Sequence, residues 1–161
     1  MRISVIVLLL CLSSLAWPVN RAEAFNCDVT ATGVNFGGYD VFSSVPRDST
    51  GTITVTCNNP DKTDKNNPSE DIEVEISLSP GNSGSFSLRQ MQSATGDSLS
   101  YNLYTIPFST IWGDGGGSSS VTTGFVNKDM PLNVIIYGRI PERQNVRAGS
   151  YSDNITVTID F

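Results

Sequence analysis

Apolar and polar side chains alternate one for one through long stretches of this chain. Ile53, Val55 and Cys57 alternate with Thr52, Thr54 and Thr56, and Ile72, Val74, Ile76 and Leu78 with Glu73, Glu75, Ser77 and Ser79. Leu99, Tyr101 and Leu103 alternate with Ser98, Ser100 and Asn102, and the pattern returns at Leu132, Val134 and Ile136. A period of two puts every second side chain on one face of an extended strand, so each stretch predicts a half-buried strand. Tyr151, Ile155, Val157, Ile159 and Phe161, set against Asn154, Thr156, Thr158 and Asp160, predict one long final strand. No helical i, i+3, i+4, i+7 stripe holds for ten residues.

The phase slips once near the start: Cys27, Val29 and Ala31 share one face, Val34 and Phe36 the other, which predicts a β-bulge at Thr32 and Gly33. Gly37 with Gly38, Pro46, Pro60, Pro68, Pro80 with Gly81, and the glycines at 113 and 115–117 punctuate the rest. Many short strands between such turns predict an all-β sandwich or barrel. Residues 58–71 are nearly all polar and read as a solvated hairpin end; their spacing lacks the alternating oxygen ligands and mid-loop glycine of a calcium loop.

Met1 and Arg2 precede a mostly apolar run over residues 5–15, followed by Pro18 and the small-x-small triplet Ala22, Glu23, Ala24. That order predicts a signal peptide over residues 1–24, cleaved between Ala24 and Phe25, with cleavage after Ala16 as the alternative. The run is too short to span a bilayer, and bulky Leu10 argues against a lipid anchor on Cys11. With no second apolar run, no membrane insertion of the mature chain is expected. Residues 25–161 then form one domain, large enough for a single core. Removing Arg2, Arg21 and Glu23 takes the basic count from 10 to 8 and the acidic count from 16 to 15, a net charge of −7. An acidic surface repels phosphate backbones, so nucleic acid is not an expected partner. Cys27 and Cys57 remain, and in an exported chain they read as one disulfide, the alternative being two free thiols.

The chain contains no histidine, which removes Ser-His-Asp and Cys-His nucleophile systems and most zinc sites. The glycine-rich turn at 113–117 leads into serines and a strand, without the helix N-terminus and Lys that cradle phosphate. Glu73 and Glu75 sit two apart on the polar face of their strand, where a solvated surface explains them better than a hydrolytic carboxylate pair. The Asn154, Ile155, Thr156 triplet matches a glycosylation acceptor but lies inside a strand pattern. No enzyme, metal or cofactor is expected.

Several local blocks together resemble the spore coat protein U domain family, which includes subunits of archaic chaperone-usher pili. They are Cys27 with Thr32, Gly33, Val34, Asn35, Phe36 and Gly37, then Tyr39 and Asp40; residues 51–57; Leu78, Ser79 and Gly81; Tyr101, Asn102, Leu103 and Tyr104; and Ile111, Trp112, Gly113, Asp114 and Gly115. Tyr137, Gly138, Arg139, Ile140 and Pro141 follow, then Gln144, Ala148, Gly149, Ser150, Tyr151 and the stretch 155–161. The resemblance implies an incomplete immunoglobulin-like β-sandwich that lacks its final strand. It implies a secreted subunit that a periplasmic chaperone holds by lending a strand, that an outer-membrane usher exports, and that other pilus subunits then complete; pilin complementation is a standard example of such edge-strand addition. Ile155, Val157, Ile159 and Phe161 are the expected contacts of the lent strand, with the Phe161 carboxylate near basic chaperone residues. The localisation implied is passage through the periplasm to a pilus on the cell surface.

The chain departs from relatives in the long polar loop 58–71 and in the apolar Ile106, Pro107, Phe108 after Tyr104. Ile106, Phe108 and Trp112 are therefore the expected adhesive patch, core filling being the plainer reading. Cleavage before Phe25 leaves only Phe25 and Asn26 ahead of Cys27, too few to serve as a donor strand, so a tip or minor position is expected. The functional expectation is a structural or adhesive pilus subunit for surface attachment and biofilm formation. The alternatives are a spore or cell-surface coat protein and a free-standing secreted carbohydrate-binding module.

Overall fold

A computed structural model describes residues 26–58, 71–126 and 130–161. They form ten strands: β1 (Asn26–Thr32), β2 (Arg47–Asn58), β3 (Ile72–Leu78), β4 (Arg89–Ser93), β5 (Ser98–Ile106), β6 (Thr110–Ile111), β7 (Thr122–Val126), β8 (Leu132–Ile140), β9 (Tyr151–Ser152) and β10 (Val157–Asp160). A short 3-10 turn spans Gly81–Ser83. The pairings are antiparallel and make two sheets. One runs β1-β2-β8-β5-β4-β9 with β6 beside β5, and the other runs β10-β3-β7. The described domain is an immunoglobulin-like sandwich with one strand missing from its side. Among the described residues no helix is long and apolar enough to cross a membrane.

The alternating positions meet between the sheets. Ile53, Val55 and Cys57 of β2, Leu99, Tyr101 and Leu103 of β5, and Ile136 and Ile140 of β8 face Val74, Ile76 and Leu78 of β3 and Val126 of β7. Glu73 and Glu75 lie exposed on the opposite face of β3, as a solvated surface requires.

Two stretches fold differently from the sequence reading. The β1 to β2 ladder shows no bulge at Thr32; it ends there, at the Thr32 to Thr52 rung, and the chain crosses over the sheet. Glycines make that crossing possible. A Cβ on Gly51 would lie 2.5 Å from the Thr32 carbonyl, and one on Gly138 would lie 2.6 Å from Val34 Cγ1 and 2.8 Å from Phe36 Cζ. Val34 and Phe36 thus drop onto the core, and the Arg47 Nε–H and Ser49 Oγ–H secure the crossing by donating to the carbonyls of Phe36 and Asn35. The expected single final strand is two short ones in different sheets: β9 pairs with β4, and β10 pairs with β3. Between them Asp153 accepts the Asn82 N–H, while the Thr156 N–H donates to Ser79 Oγ and the Ser79 N–H to the Thr156 carbonyl. These bonds hold the crossing chain to the loop after β3, where ladder bonds would otherwise run.

Cys27 and Cys57 are bonded and lie directly opposite each other on β1 and β2. The loop closed between them is worth about 3.5 kcal/mol on the chain-entropy model.

Candidate functional site

In β1, Cys27, Val29 and Ala31 lie opposite Cys57, Val55 and Ile53 and share their inward face. Opposite residues of an antiparallel pair point the same way, so all six side chains turn toward the sandwich interior. Yet Val55 is 0% exposed and Val29 43%. The second sheet repeats this contrast: Ile76 and Leu78 of β3 are fully buried, whereas their partners Ile159 and Val157 of β10 are only half-buried. The inward rows of β1 and β10 flank a gap in which no described strand lies. Their outer edges are also unpaired among the described residues, since β1 bonds only to β2 and β10 only to β3.

A cavity of about 390 Å³ opens along this gap, between residues 31–36 on one wall and 151–157 on the other, with Leu78, Leu103 and Ile136 on its floor. It continues past Phe36 and Tyr151 into a wider recess of about 820 Å³ between residues 33–42 and 146–151. Tyr39 and Gln144 staple the two loops of that recess together. The Tyr39 hydroxyl donates to the Pro141 carbonyl (2.8 Å) and accepts the Gln144 N–H (2.9 Å), and the Gln144 side chain bonds both backbone groups of Ser100. The arrangement offers a largely apolar trough beside two strand edges, β1 and β10, that pair with no further strand among the described residues, the chemistry of a site for an extended peptide segment.

Beneath the groove lies a charged residue that the sequence reading missed. Arg89, in β4, is 0% exposed. Its Nε and Nη2 donate to the Ser79 carbonyl, Nη1 to Asn102 Oδ1 (2.8 Å) and Nη2 to the Trp112 carbonyl (2.6 Å), while Phe86 stacks on the guanidinium. Burial holds its pKa below the usual arginine range, and Tyr101 and Asp153 partly oppose that. The Tyr101 hydroxyl donates to Asp153 Oδ2 at 2.8 Å, and its pKa is pushed up first by burial, then by Asp153. A raised tyrosine pKa stabilises the fold fully below the ordinary value of about 10 and is lost as pH rises beyond it. Among the described residues no group of three or more His, Cys, Asp or Glu is placed to hold a metal.

The predicted site residues separate. Ile155 and Val157 line the groove cavity and Ile159 continues the same half-buried row, with Phe161 exposed just beyond β10. Ala24, Phe25 and the polar loop at 59–70 lie outside the described residues. Trp112 does not belong to a surface patch: it is fully buried, with Nε1–H donating to the Ile76 carbonyl, because the indole bridges the two sheets. Ile106 is 57% exposed. Phe108, half-buried with φ of 57°, lays its ring 3.6 Å from the Arg139 guanidinium between Tyr104 and Tyr137, and Arg139 is held by a two-bond pair with Asp48.

Residues 15–158 match the family model described as the Spore Coat Protein U domain. The chain belongs to the Spore Coat Protein U domain family. A family relative is Protein U of Myxococcus xanthus, 32% identical over 135 residues, which are 80% of this chain and 71% of that protein. The fold also resembles a chain in the crystal structure of the CsuC-CsuE chaperone-tip adhesion subunit pre-assembly complex, from archaic chaperone-usher Csu pili of Acinetobacter baumannii. That match has a TM-score of 0.56 and 21% identity, and it covers 86% of this chain but only 40% of the other. The Spore Coat Protein U domain match begins inside the segment read as a leader, ahead of Phe25.

Proposed function

We propose that this protein is a subunit of a surface fibre or coat that becomes complete only when another chain lays an extended segment into the groove between β1 and β10. The observation that carries this reading is the pair of inward rows, Val29 with Ala31 and Val157 with Ile159, left open beside fully buried partners. A free β edge and an apolar trough side by side favour strand addition over small-molecule binding. The likeness to a subunit solved with its chaperone supports a periplasmic chaperone as the first donor and other subunits as later ones, with an outer-membrane usher as the route between. Export and a surface location belong to the same reading.

Co-expression with the chaperone and usher of its own gene neighbourhood tests it. The chain alone is expected to aggregate, and the chaperone to recover it as a soluble one-to-one complex. A chain that stays monomeric and soluble without any partner would show that the groove needs no strand. Coat material is the second reading, favoured by the family description and by Protein U. It predicts a shell-associated product in place of a fibre.

The adhesive part of the reading rests on Ile106, at the end of β5, and the Phe108 ring, on the turn from β5 to β6. Replacing Phe108 by Ser is expected to weaken attachment to an apolar surface and biofilm formation with little change in folding. Retained attachment would remove the patch from the reading. N-terminal sequencing of the exported protein tests the tip position: a start at Trp17 leaves a tail able to act as donor, and a start at Phe25 does not.

A further inference from the structure

The inward row along the last part of the chain is not uniformly apolar. Tyr151, Asp153, Ile155, Val157 and Ile159 are half-buried in alternation with exposed Ser152, Asn154, Thr156, Thr158 and Asp160, so a carboxylate occupies an inward position of a greasy wall. Asp153 lines the groove cavity beside Tyr101 and Ile155. Its Oδ1 accepts the N–H groups of Asn82 (2.9 Å) and Asn154 (2.8 Å), and its Oδ2 accepts the Tyr101 hydroxyl (2.8 Å). A carboxylate offers about four acceptor directions, so one remains open on Oδ2. Arg89 is the cation on this side of the core, but its donors go to Ser79, Trp112 and Asn102 and none reaches Asp153. Arg147 is turned to Asp97.

Tyr101 is the one described donor to Oδ2, and Asp153 lines the open cavity, where water has access to it. A strand laid over the row would exclude the water, and a carboxylate cut off from solvent with an open acceptor site is costly unless a donor of opposite charge meets it. We propose that Asp153 selects the incoming segment: the segment must be apolar along its inward row except where it passes Asp153, and there it carries Lys or Arg. This rests on the groove reading above and adds a sequence requirement to it. The acidic surface of the chain works in the same direction by drawing in basic segments.

The test uses the full chain diluted from denaturant into fluorescently labelled extended peptides. In these, the inward positions are norleucine and one at a time is changed to Lys, which has the same shape plus an ammonium. At a single position Lys is expected to bind about tenfold more tightly than norleucine, and at every other inward position more weakly. Asp153→Asn keeps the oxygen that caps Asn82 and Asn154 but removes the charge. In that variant the all-norleucine peptide should bind more tightly than it does to the parent chain, because no charge is then covered without a partner, and the preference for Lys should vanish. A uniform response along the peptide, or a preference that survives in Asp153→Asn, overturns the proposal while leaving strand addition in place. Failure of every peptide to bind overturns strand addition itself, and this inference with it.

Discussion

Replacing Trp112 by alanine is expected to lower the unfolding free energy by about 3–5 kcal/mol, the usual cost of deleting a large buried aromatic. Trp112 is fully buried and joins the sheets through its backbone on one side and its indole on the other. Its backbone N–H donates to the Leu103 carbonyl of β5, and its side-chain Nε1–H donates to the Ile76 carbonyl of β3, each at 2.9 Å. Truncation therefore opens a cavity and leaves the Ile76 carbonyl unpaired in a dry interior. Urea unfolding followed by far-UV circular dichroism, with Phe108→Ser beside it, provides the measurement. Phe108 makes only surface ring contacts and holds a left-handed backbone angle that costs a non-glycine residue about 1–2 kcal/mol. Its replacement should move the transition little. Equal losses in the two variants would show that the turn at Phe108 is as structural as the indole.

Arg89→Met is expected to cost about 2–4 kcal/mol, a balance of opposing terms. Methionine fills a similar volume and relieves the penalty of burying a charge, which by itself stabilises. Against that, the carbonyls of Ser79 and Trp112 lose their Arg89 donors while remaining buried, at about 1–3 kcal/mol for each unsatisfied group, and the Asn102 side-chain oxygen keeps only the Leu103 N–H. Asn102 has further duties, donating to the carbonyls of Phe86 and Ser87 and accepting the Leu103 N–H, so its displacement would loosen the loop before β4. Arg89→Lys is expected to recover less than half of the loss, because one ammonium cannot span acceptors that a planar fork reaches together. A methionine variant as stable as the parent would mean that desolvation cancels the whole network.

The legible parts of the fold were those where one face is dry and the other wet. β2, β3, β5 and β8 announce themselves because Ile, Val and Leu alternate with Thr, Glu and Ser. β4 and β7 did not, for definite reasons. The inward row of β4 begins with Arg89, a residue type that pattern reading assigns to the surface, and β7 packs Gly124 where an apolar side chain was sought, with Phe125 facing outward. Trp112 sits in one of the blocks that carry the family likeness and beside an apolar turn, yet it is buried and its indole bonds the Ile76 carbonyl, 36 residues away in sequence. The groove was half visible. The row Ile155, Val157, Ile159 could be read directly, but its opposite wall depends on the chain leaving its ladder with β2 after Thr32, which the phase slip marked without showing where it led. Asp153 carried no signal, because an acid among polar neighbours looks solvated until Tyr101 and Asn82 are brought to it by the fold.

The cross-strand disulfide bears on how this molecule carries load. Cys27 is the second residue of β1, and the bond ties it to Cys57 at the same rung of the ladder. A pull on the chain ahead of Asn26 would otherwise peel β1 from β2 one rung at a time, the mode in which hydrogen bonds break singly and at low force. The covalent link stops that peeling after the first rung. Tension passes instead to β2, which is held to β8 along most of its length, from Arg47 to Val55. Reduction of that one bond would leave β1 held to β2 by hydrogen bonds alone, open to peeling from its first rung.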